Sequence, residues 1–226
     1  MAQRRTFAVI GLGRFGSAMA LTLHQMDHEV IGIDASGDVV RELADRGLQT
    51  LQMDVTDERA LRAAGIHAVD VAVISIGENL EASLIVVMLV KELGIPTIVA
   101  KATTPLHGRI LEKLGVSRVV FPEREMAIRT AHSLVVPNLI DYIELSRDFA
   151  IVEVPAPAAF LGKSVKDLQI RNRFGLNLIA IKRHGDAGGD STNVAPGPDD
   201  TIQQGDVLAL LGNNANVAKL EALTKK

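Results

Sequence analysis

The ten residues VIGLGRFGSA, Val9 to Ala18, decide the fold of the N-terminal half of the chain. Gly11, Gly13 and Gly16 follow an apolar run with the spacing G-x-G-x-x-G. Such glycines permit a tight turn from a strand into a helix and let backbone N–H groups approach a diphosphate at the helix N-terminus. Because the motif is weak when it stands alone, its surroundings decide whether it is a nucleotide-binding loop.

Apolar runs and helical runs alternate around this motif through the first 121 residues. Strands that are apolar throughout and separated by helices predict a parallel sheet covered on both faces. The predicted strands occupy residues 7–10, 29–34, 48–54, 70–77, 96–102 and 117–121. Right-handed crossovers then give an α/β fold with a Rossmann-like, doubly wound parallel sheet.

The pattern changes after Pro122. Residues 123–136 predict one crossover helix that Pro137 ends, and residues 139–145 suggest a second helix. Short alternating segments from Phe149 onward predict a small α+β C-terminal domain with antiparallel strands and a polar, glycine-rich loop. We therefore expect a nucleotide-binding domain at 1–136, a linker at 137–147, a ligand domain at 148–226, and the polar loop at 185–198.

The amino-acid composition argues against several classes of protein. The 226 residues carry a net charge of −3, so binding to nucleic acid through phosphate attraction is not expected. The absence of cysteine excludes disulfides and thiolate metal sites. The basic and then apolar N-terminus is interrupted at once by glycines, which favours a first strand over a signal peptide. The longest apolar run, at 84–90, is far shorter than the ~20 residues that cross a bilayer, so we expect a soluble protein.

Acidic and small residues at the predicted strand ends extend the glycine motif into a site. Asp34 ends the second strand, 18 residues after Gly16, where its carboxylate can accept hydrogen bonds from both ribose hydroxyls. The negative charge of the same acid disfavours binding of NADP, because NADP carries a phosphate on the 2′ oxygen. Ligands of such sheets bind beyond the carboxyl ends of the strands, which adds the following candidates: Asp54, Val55, Thr56, Ser75, Gly77 and Lys101.

Three of these candidates have a plain structural alternative. Thr56 could cap the helix that follows it, and Gly77 could serve only as a turn. Lys101 could lie along the protein surface instead of reaching the phosphates.

The sequence shows a binding site without a catalytic constellation. A short-chain dehydrogenase needs Tyr-x-x-x-Lys, but the residue four positions after Tyr142, the single tyrosine, is Ser146. His184 stands beside the polar loop, away from any pattern typical of a hydride-transfer site. A redox-sensing repressor would need a basic helix-turn-helix, and the sequence contains none. A binding protein is therefore favoured, with an NAD-dependent oxidoreductase as the alternative.

Several motifs in one order resemble the regulator-of-potassium-conductance (RCK) family of cytosolic gating subunits of Ktr/Trk potassium transporters. They are AVIGLGRFG, GID, QMDVTD, VISIGEN, VAKA and FPEREMA. The C-terminal part, from FAIVEVPAP to QQGDVLALLG, resembles the ligand domain of the same family. The resemblance covers nearly the whole chain.

The resemblance implies a cytoplasmic, non-enzymatic subunit at the inner face of the membrane. Its dimers would assemble into an octameric ring on a membrane potassium-translocating subunit of the KtrB/TrkH type. ATP or ADP, with NAD or NADH as alternatives, would bind the N-terminal domain, change the ring's shape and so gate the transporter.

The resemblance also implies two further ligands. A divalent cation, Mg²⁺ or Ca²⁺, would bind near the phosphates, and Glu123 in FPERE is the candidate for holding it. The alternative for Glu123 is an ordinary acid in the first turn of a helix. Cyclic di-AMP would bind the C-terminal domain, with Arg171 and Asn177 as candidates. The alternative for Arg171 is an arginine in solvent.

Arg14 and Phe15 fill the variable positions of the glycine motif. A cation in the first turn of a helix is unfavourable, because the helix dipole is already positive there. The resemblance implies that Arg14 contacts the terminal phosphate bound by a neighbouring subunit. The alternative is an exposed arginine paired with a nearby acid.

The predicted helix at 81–93 is apolar on all sides. Such a helix must be covered on more than one side, either by another subunit or within its own domain.

Overall fold

The computed structural model describes residues 4–135, 140–183 and 191–217, without the side chains of residues 132, 133 and 135. The chain divides into two compact units, Met1–Arg124 and Glu125–Lys226. This division precedes the linker predicted at 137–147. Residues 136–139, His184 and the first part of the polar loop lie outside the described residues.

The first unit alternates strands and helices throughout. Its strands are β1 (Thr6–Ile10), β2 (Glu29–Asp34), β3 (Gln49–Gln52), β4 (Val71–Ile74), β5 (Thr97–Lys101) and β6 (Arg118–Val120). Its helices are α1 (Arg14–Gln25), α2 (Gly37–Asp45), α3 (Glu58–Ala63), α4 (Leu80–Glu92), α5 (Pro105–Lys113) and the start of α6 (Pro122–Val135). The six strands are parallel in the order β3-β2-β1-β4-β5-β6, which confirms the doubly wound fold.

The central strands are apolar throughout because both faces of the sheet are covered. Ala8 and Ile10 of β1 belong to one hydrophobic cluster, whereas Phe7 and Val9 belong to another. This alternation has the period of two that places successive side chains on opposite faces of a strand. The chain reverses its winding between β1 and β4, and a doubly wound sheet opens a crevice at such a point.

Helix α4 has one buried and one exposed side. Its residues Val86, Val87 and Val90 are fully buried in the core next to β4 and β5. Ile85 and Met88 remain 36% and 50% exposed. The alternative that α4 is apolar because it is fully buried within its own domain is therefore wrong.

The second unit is a small α+β domain, as the sequence predicted. Its strands are β7 (Asp141–Ser146), β8 (Phe149–Pro155), β9 (Leu176–Arg183), β10 (Ser191–Asn193) and β11 (Val207–Asn213). Two short helices, α7 (Val165–Leu168) and α8 (Ile170–Phe174), precede β9. The sheet is antiparallel in the order β10-β9-β11-β8-β7.

The helix expected at 139–145 is wrong, because residues 141–146 form strand β7. Tyr142 faces the core and is 8% exposed, whereas Ile143 and Leu145 face outward. The segment pairs antiparallel with β8, and a two-residue turn, Arg147 and Asp148, returns the chain into that strand. The hairpin occupies most of the range that the sequence assigned to a linker.

A buried carboxylate joins β9 to the turn before β11. Asp206 is 1% exposed and accepts hydrogen bonds from Arg183 Nε at 2.7 Å and Arg183 Nη2 at 2.8 Å. The backbone N–H of Gln203 donates to the same carboxylate at 2.8 Å. The guanidinium holds the pKa of Asp206 below its ordinary value, although burial opposes this.

We expect Asp206→Asn to lower the free energy of unfolding of the second unit by about 2–3 kcal/mol at pH 7, since it breaks a buried pair. Because the folded-state pKa is lowered, this stabilisation is present above the unfolded pKa of about 3.9 and is lost as the pH falls through the folded value. Urea unfolding followed by Tyr142 fluorescence reports on this unit, whose core contains that ring.

The matched control for this measurement is Asp199→Asn, the same change at an exposed carboxylate of the same unit. We expect this control to change stability by less than about 0.5 kcal/mol. Equal stability of Asp206→Asn and the unaltered chain would contradict the assignment of Asp206 as a structural ion pair.

Candidate functional site

Two glycines of the G-x-G-x-x-G motif are required by the backbone itself. Gly11 has a φ of +90°, and its N–H donates to the carbonyl of Ile33 at 2.8 Å. A Cβ at Gly16 would lie 1.9 Å from the carbonyl oxygen of Gly11. Helix α1 can therefore approach the loop after β1 only because position 16 has no side chain.

Neither the backbone angle nor the surrounding atoms require a glycine at position 13. Its φ is −65°, and a Cβ there would meet no atom within 4 Å among those described. It is the N-cap of α1, and no side chain of the described residues caps this helix. The helix therefore presents uncapped backbone N–H groups and an open space beside Gly13, which fits an incoming phosphate.

A cleft of about 520 Å³ opens beside Gly13 at the carboxyl edge of β4 and β5. It brings together seven of the residues that the sequence predicted: Gly13, Arg14, Phe15, Ser75, Gly77, Lys101 and Glu123. Four more lining residues were missed by the sequence reasoning: Ile76, Glu78, Asn79 and Thr103. They follow directly after β4 and β5, so the rule that placed Ser75 and Lys101 could have found them.

Asp34 supports the glycine loop from the end of β2. Its carboxylate accepts hydrogen bonds from the N–H of Leu12 at 2.6 Å and from the N–H of Ser36 at 2.8 Å. Its backbone carbonyl accepts from the N–H of Met53 at 3.1 Å, which ties the ends of β2 and β3 together. Asp34 thus lies at the predicted edge of the sheet, outside the lining of the cleft.

The segment after β3 forms a separate turn at the same edge. The carboxylate of Asp54 accepts from the hydroxyl of Thr56 at 2.7 Å and from its N–H at 2.9 Å, and these bonds lower the pKa of Asp54. Asp57 caps α3 by accepting from the N–H groups of Arg59 and Ala60. The alternative of Thr56 as the helix cap is therefore wrong. Asp54, Val55 and Thr56 lie outside the lining of the cleft.

Lys101 reaches into the cleft and pairs with Glu123. Its Nζ lies 2.5 Å from Glu123 Oε1, and its side chain is only 13% exposed, so the alternative of a surface lysine is wrong. The hydrogen bond from Lys101 holds the pKa of Glu123 below its ordinary value, and the charge of Arg14 adds to the effect. The end of the cleft beside Gly13 therefore combines two cations with the N-terminus of α1.

Arg171 and Asn177 line one depression of about 280 Å³ on the second unit. Arg171 belongs to α8 and Asn177 to the start of β9, and both are exposed. The two candidates for cyclic di-AMP are thus placed on one surface.

Models of two protein domains match the chain, TrkA-N over residues 7–122 and TrkA-C over residues 149–225. The chain belongs to the TrkA-N/TrkA-C family. It is 38% identical over 218 residues to Ktr system potassium uptake protein C of Bacillus subtilis, covering 96% of both chains. It is 36% identical to Ktr system potassium uptake protein A of the same organism, covering 97% of this chain and 96% of that one.

The TrkA-N/TrkA-C fold is also found among solved structures. The GsuK RCK domain superposes with a TM-score of 0.67 at 21% identity, covering 100% of this chain and 48% of that one. The GsuK channel bound to NAD gives a TM-score of 0.65 at 21% identity, covering 100% and 40%. This chain thus spans about half or less of the GsuK chains. Within the residues described here, no helix is long and apolar enough to cross a membrane.

We expect Gly16→Ala to destabilise the first unit by about 1–3 kcal/mol or more, since the added methyl overlaps the carbonyl of Gly11. The matched change Gly13→Ala adds the same methyl to open space and should alter stability by less than about 0.5 kcal/mol. Thermal unfolding followed by circular dichroism compares the two variants. Equal midpoints would show that α1 does not depend on its close approach to the loop.

Proposed function

We propose that this chain is the cytoplasmic, nucleotide-sensing regulatory subunit of a potassium uptake system. The observation that carries the proposal is the cleft in which the open space beside Gly13 and the uncapped N-terminus of α1 face Arg14 and Lys101. Positive groups around free backbone N–H donors favour a di- or triphosphate. The Ktr system potassium uptake proteins of Bacillus subtilis support the link to potassium.

ATP or ADP fits this site with the phosphates beside Gly13 and the ribose beside Asp34. Each carboxylate oxygen of Asp34 accepts one backbone N–H and keeps a second lone pair that a ribose hydroxyl can use. Asp54 and Val55 would then flank the base. NAD and NADH present the same ribose, and the GsuK channel of the same fold holds NAD.

The position of Tyr142 supports a binding protein over the oxidoreductase alternative. This single tyrosine lacks the Tyr-x-x-x-Lys pattern and packs in the core of the second unit.

The exposed apolar side of α4 supports an assembly of several chains. Ile85 and Met88, together with Leu80, which is 46% exposed, would be covered by another subunit. Dimers would build an octameric ring on the KtrB/TrkH-type membrane subunit at the inner face of the membrane. The particle mass from light scattering tests this part of the proposal, and a monomer at all concentrations would contradict it.

Two further ligands complete the proposal. Glu123 would bind a divalent cation, Mg²⁺ or Ca²⁺, together with oxygens of the nucleotide phosphates, because hard cations prefer oxygen ligands. Arg171 and Asn177 would contact cyclic di-AMP, since an arginine fork matches phosphate geometry.

Calorimetric titration of one sample with ATP, ADP, NAD, NADH and cyclic di-AMP tests the proposed ligands. We expect binding of at least one nucleotide, and Gly13→Ala should weaken it roughly ten- to a hundredfold, because a methyl forced into a close contact costs about 1–3 kcal/mol. Arg171→Ala should leave the affinity for that nucleotide unchanged and reduce the heat of binding of cyclic di-AMP. The absence of heat for all ligands would overturn the proposed function.

Arg14 should distinguish ATP from ADP. It begins α1, is exposed and lines the cleft, and we propose that it contacts the terminal phosphate held by a neighbouring subunit. Arg14→Ala should therefore lower the affinity for ATP by about 1–3 kcal/mol more than that for ADP. It should also reduce activation of potassium uptake by ATP when the membrane subunit is present.

The control for this measurement is Arg62→Ala, which removes an exposed arginine paired with Glu58 outside the cleft. Equal losses for ATP and ADP in Arg14→Ala would mean that this arginine contacts only the part that both nucleotides share.

A further inference from the structure

The ion pair between Lys101 and Glu123 joins the nucleotide cleft to helix α6. Lys101 is the last residue of β5 and is held in the cleft, where its Nζ lies 3.4 Å from the place that a Cβ of Gly77 would occupy. Glu123 is the second residue of α6 and is 68% exposed. One partner therefore belongs to the parallel sheet, and the other lies at the solvent-exposed start of a helix.

Glu123 balances charge at the phosphate end of the cleft. Its carboxylate bonds directly to Lys101 and also feels the positive charge of Arg14. The same two cations line the space beside Gly13, where the proposed phosphates would lie. A carboxylate of charge −1 and a di- or triphosphate of higher charge thus need the same counter-charge, and close negative groups repel each other.

Helix α6 is the element that connects the two compact units. The units divide between Arg124 and Glu125, one residue after the ion pair. Every side chain described from Glu123 to Ala131 is exposed. The ion pair between Arg129 and Asp141 ties the middle of the helix to β7, whereas the bond from Glu123 to Lys101 ties its first turn to β5. A change in the bond at Glu123 therefore acts on the chain segment through which the first unit is joined to the second.

We propose that Glu123 stands in for the nucleotide phosphates, so that a bound nucleotide takes Lys101 from Glu123 and releases the first turn of α6. This inference rests on the proposed function and adds how occupancy of the cleft is passed to the connecting helix.

Loss of the acid at position 123 is expected to strengthen nucleotide binding instead of weakening it. Glu123→Gln removes the competitor for Lys101 and should tighten ADP binding about two- to fivefold in EDTA, the range expected for an exposed ion pair. Lys101→Met should weaken binding. The double variant should bind no more tightly than Lys101→Met alone, because the gain from Glu123→Gln acts only through Lys101.

Glu78→Gln is the matched control, because Glu78 lines the same cleft and its change removes the same charge. A long-range effect of charge alone would make Glu78→Gln and Glu123→Gln tighten binding equally, and this would overturn the inference. Isothermal titration of ADP into each variant, with EDTA and at low ionic strength, measures these differences.

Hydrogen exchange at residues 122–131 gives a readout independent of affinity. ADP should speed exchange there in the unaltered chain, and Glu123→Gln should exchange faster even without ADP. Unchanged or weaker ADP binding by Glu123→Gln, or an ADP-induced slowing of exchange, overturns the inference while the proposed function stands. If no nucleotide binds the unaltered chain, the proposed function fails first and the inference falls with it.

Discussion

The close approach of α1 to the loop after β1 determines where the candidate site lies. A single missing Cβ at Gly16 allows the helix to pass within contact distance of the Gly11 carbonyl. This contact directs the N-terminus of α1 to the carboxyl edge of the sheet, between β1 and β4, where the winding reverses. The cations and small residues at the ends of β4 and β5 then face a helix N-terminus that no described side chain caps.

Charge balance is the second organising feature of the first unit. The cleft concentrates positive charge from Arg14 and Lys101 next to the positive end of a helix dipole, an arrangement that is unfavourable unless an anion is near. Glu123 supplies that anion within the chain itself. The positive charge at this end of the cleft is therefore partly neutralised by an acid of the same chain.

The sequence was informative wherever function and fold depend on local spacing. The glycine motif, the apolar strands and the acid at Asp34 are periodic or short-range features, so the sheet, its switch point and most of the cleft followed from them. The Lys101–Glu123 bond joins residues 22 positions apart, and no local pattern shows such a contact. Residues 139–145 were misread as a helix because a short apolar run bounded by turns does not by itself separate helix from strand.

The lengths of the edge strands bear on how chains can associate. The parallel sheet ends in β3 and β6, which are four and three residues long. Such short edges offer few free N–H and C=O groups to a neighbouring chain. The second unit differs, since β7 is a six-residue edge strand carrying exposed Ile143 and Leu145. A sheet continued from one chain to another would therefore find more free backbone groups at β7 of the second unit than at β3 or β6 of the first.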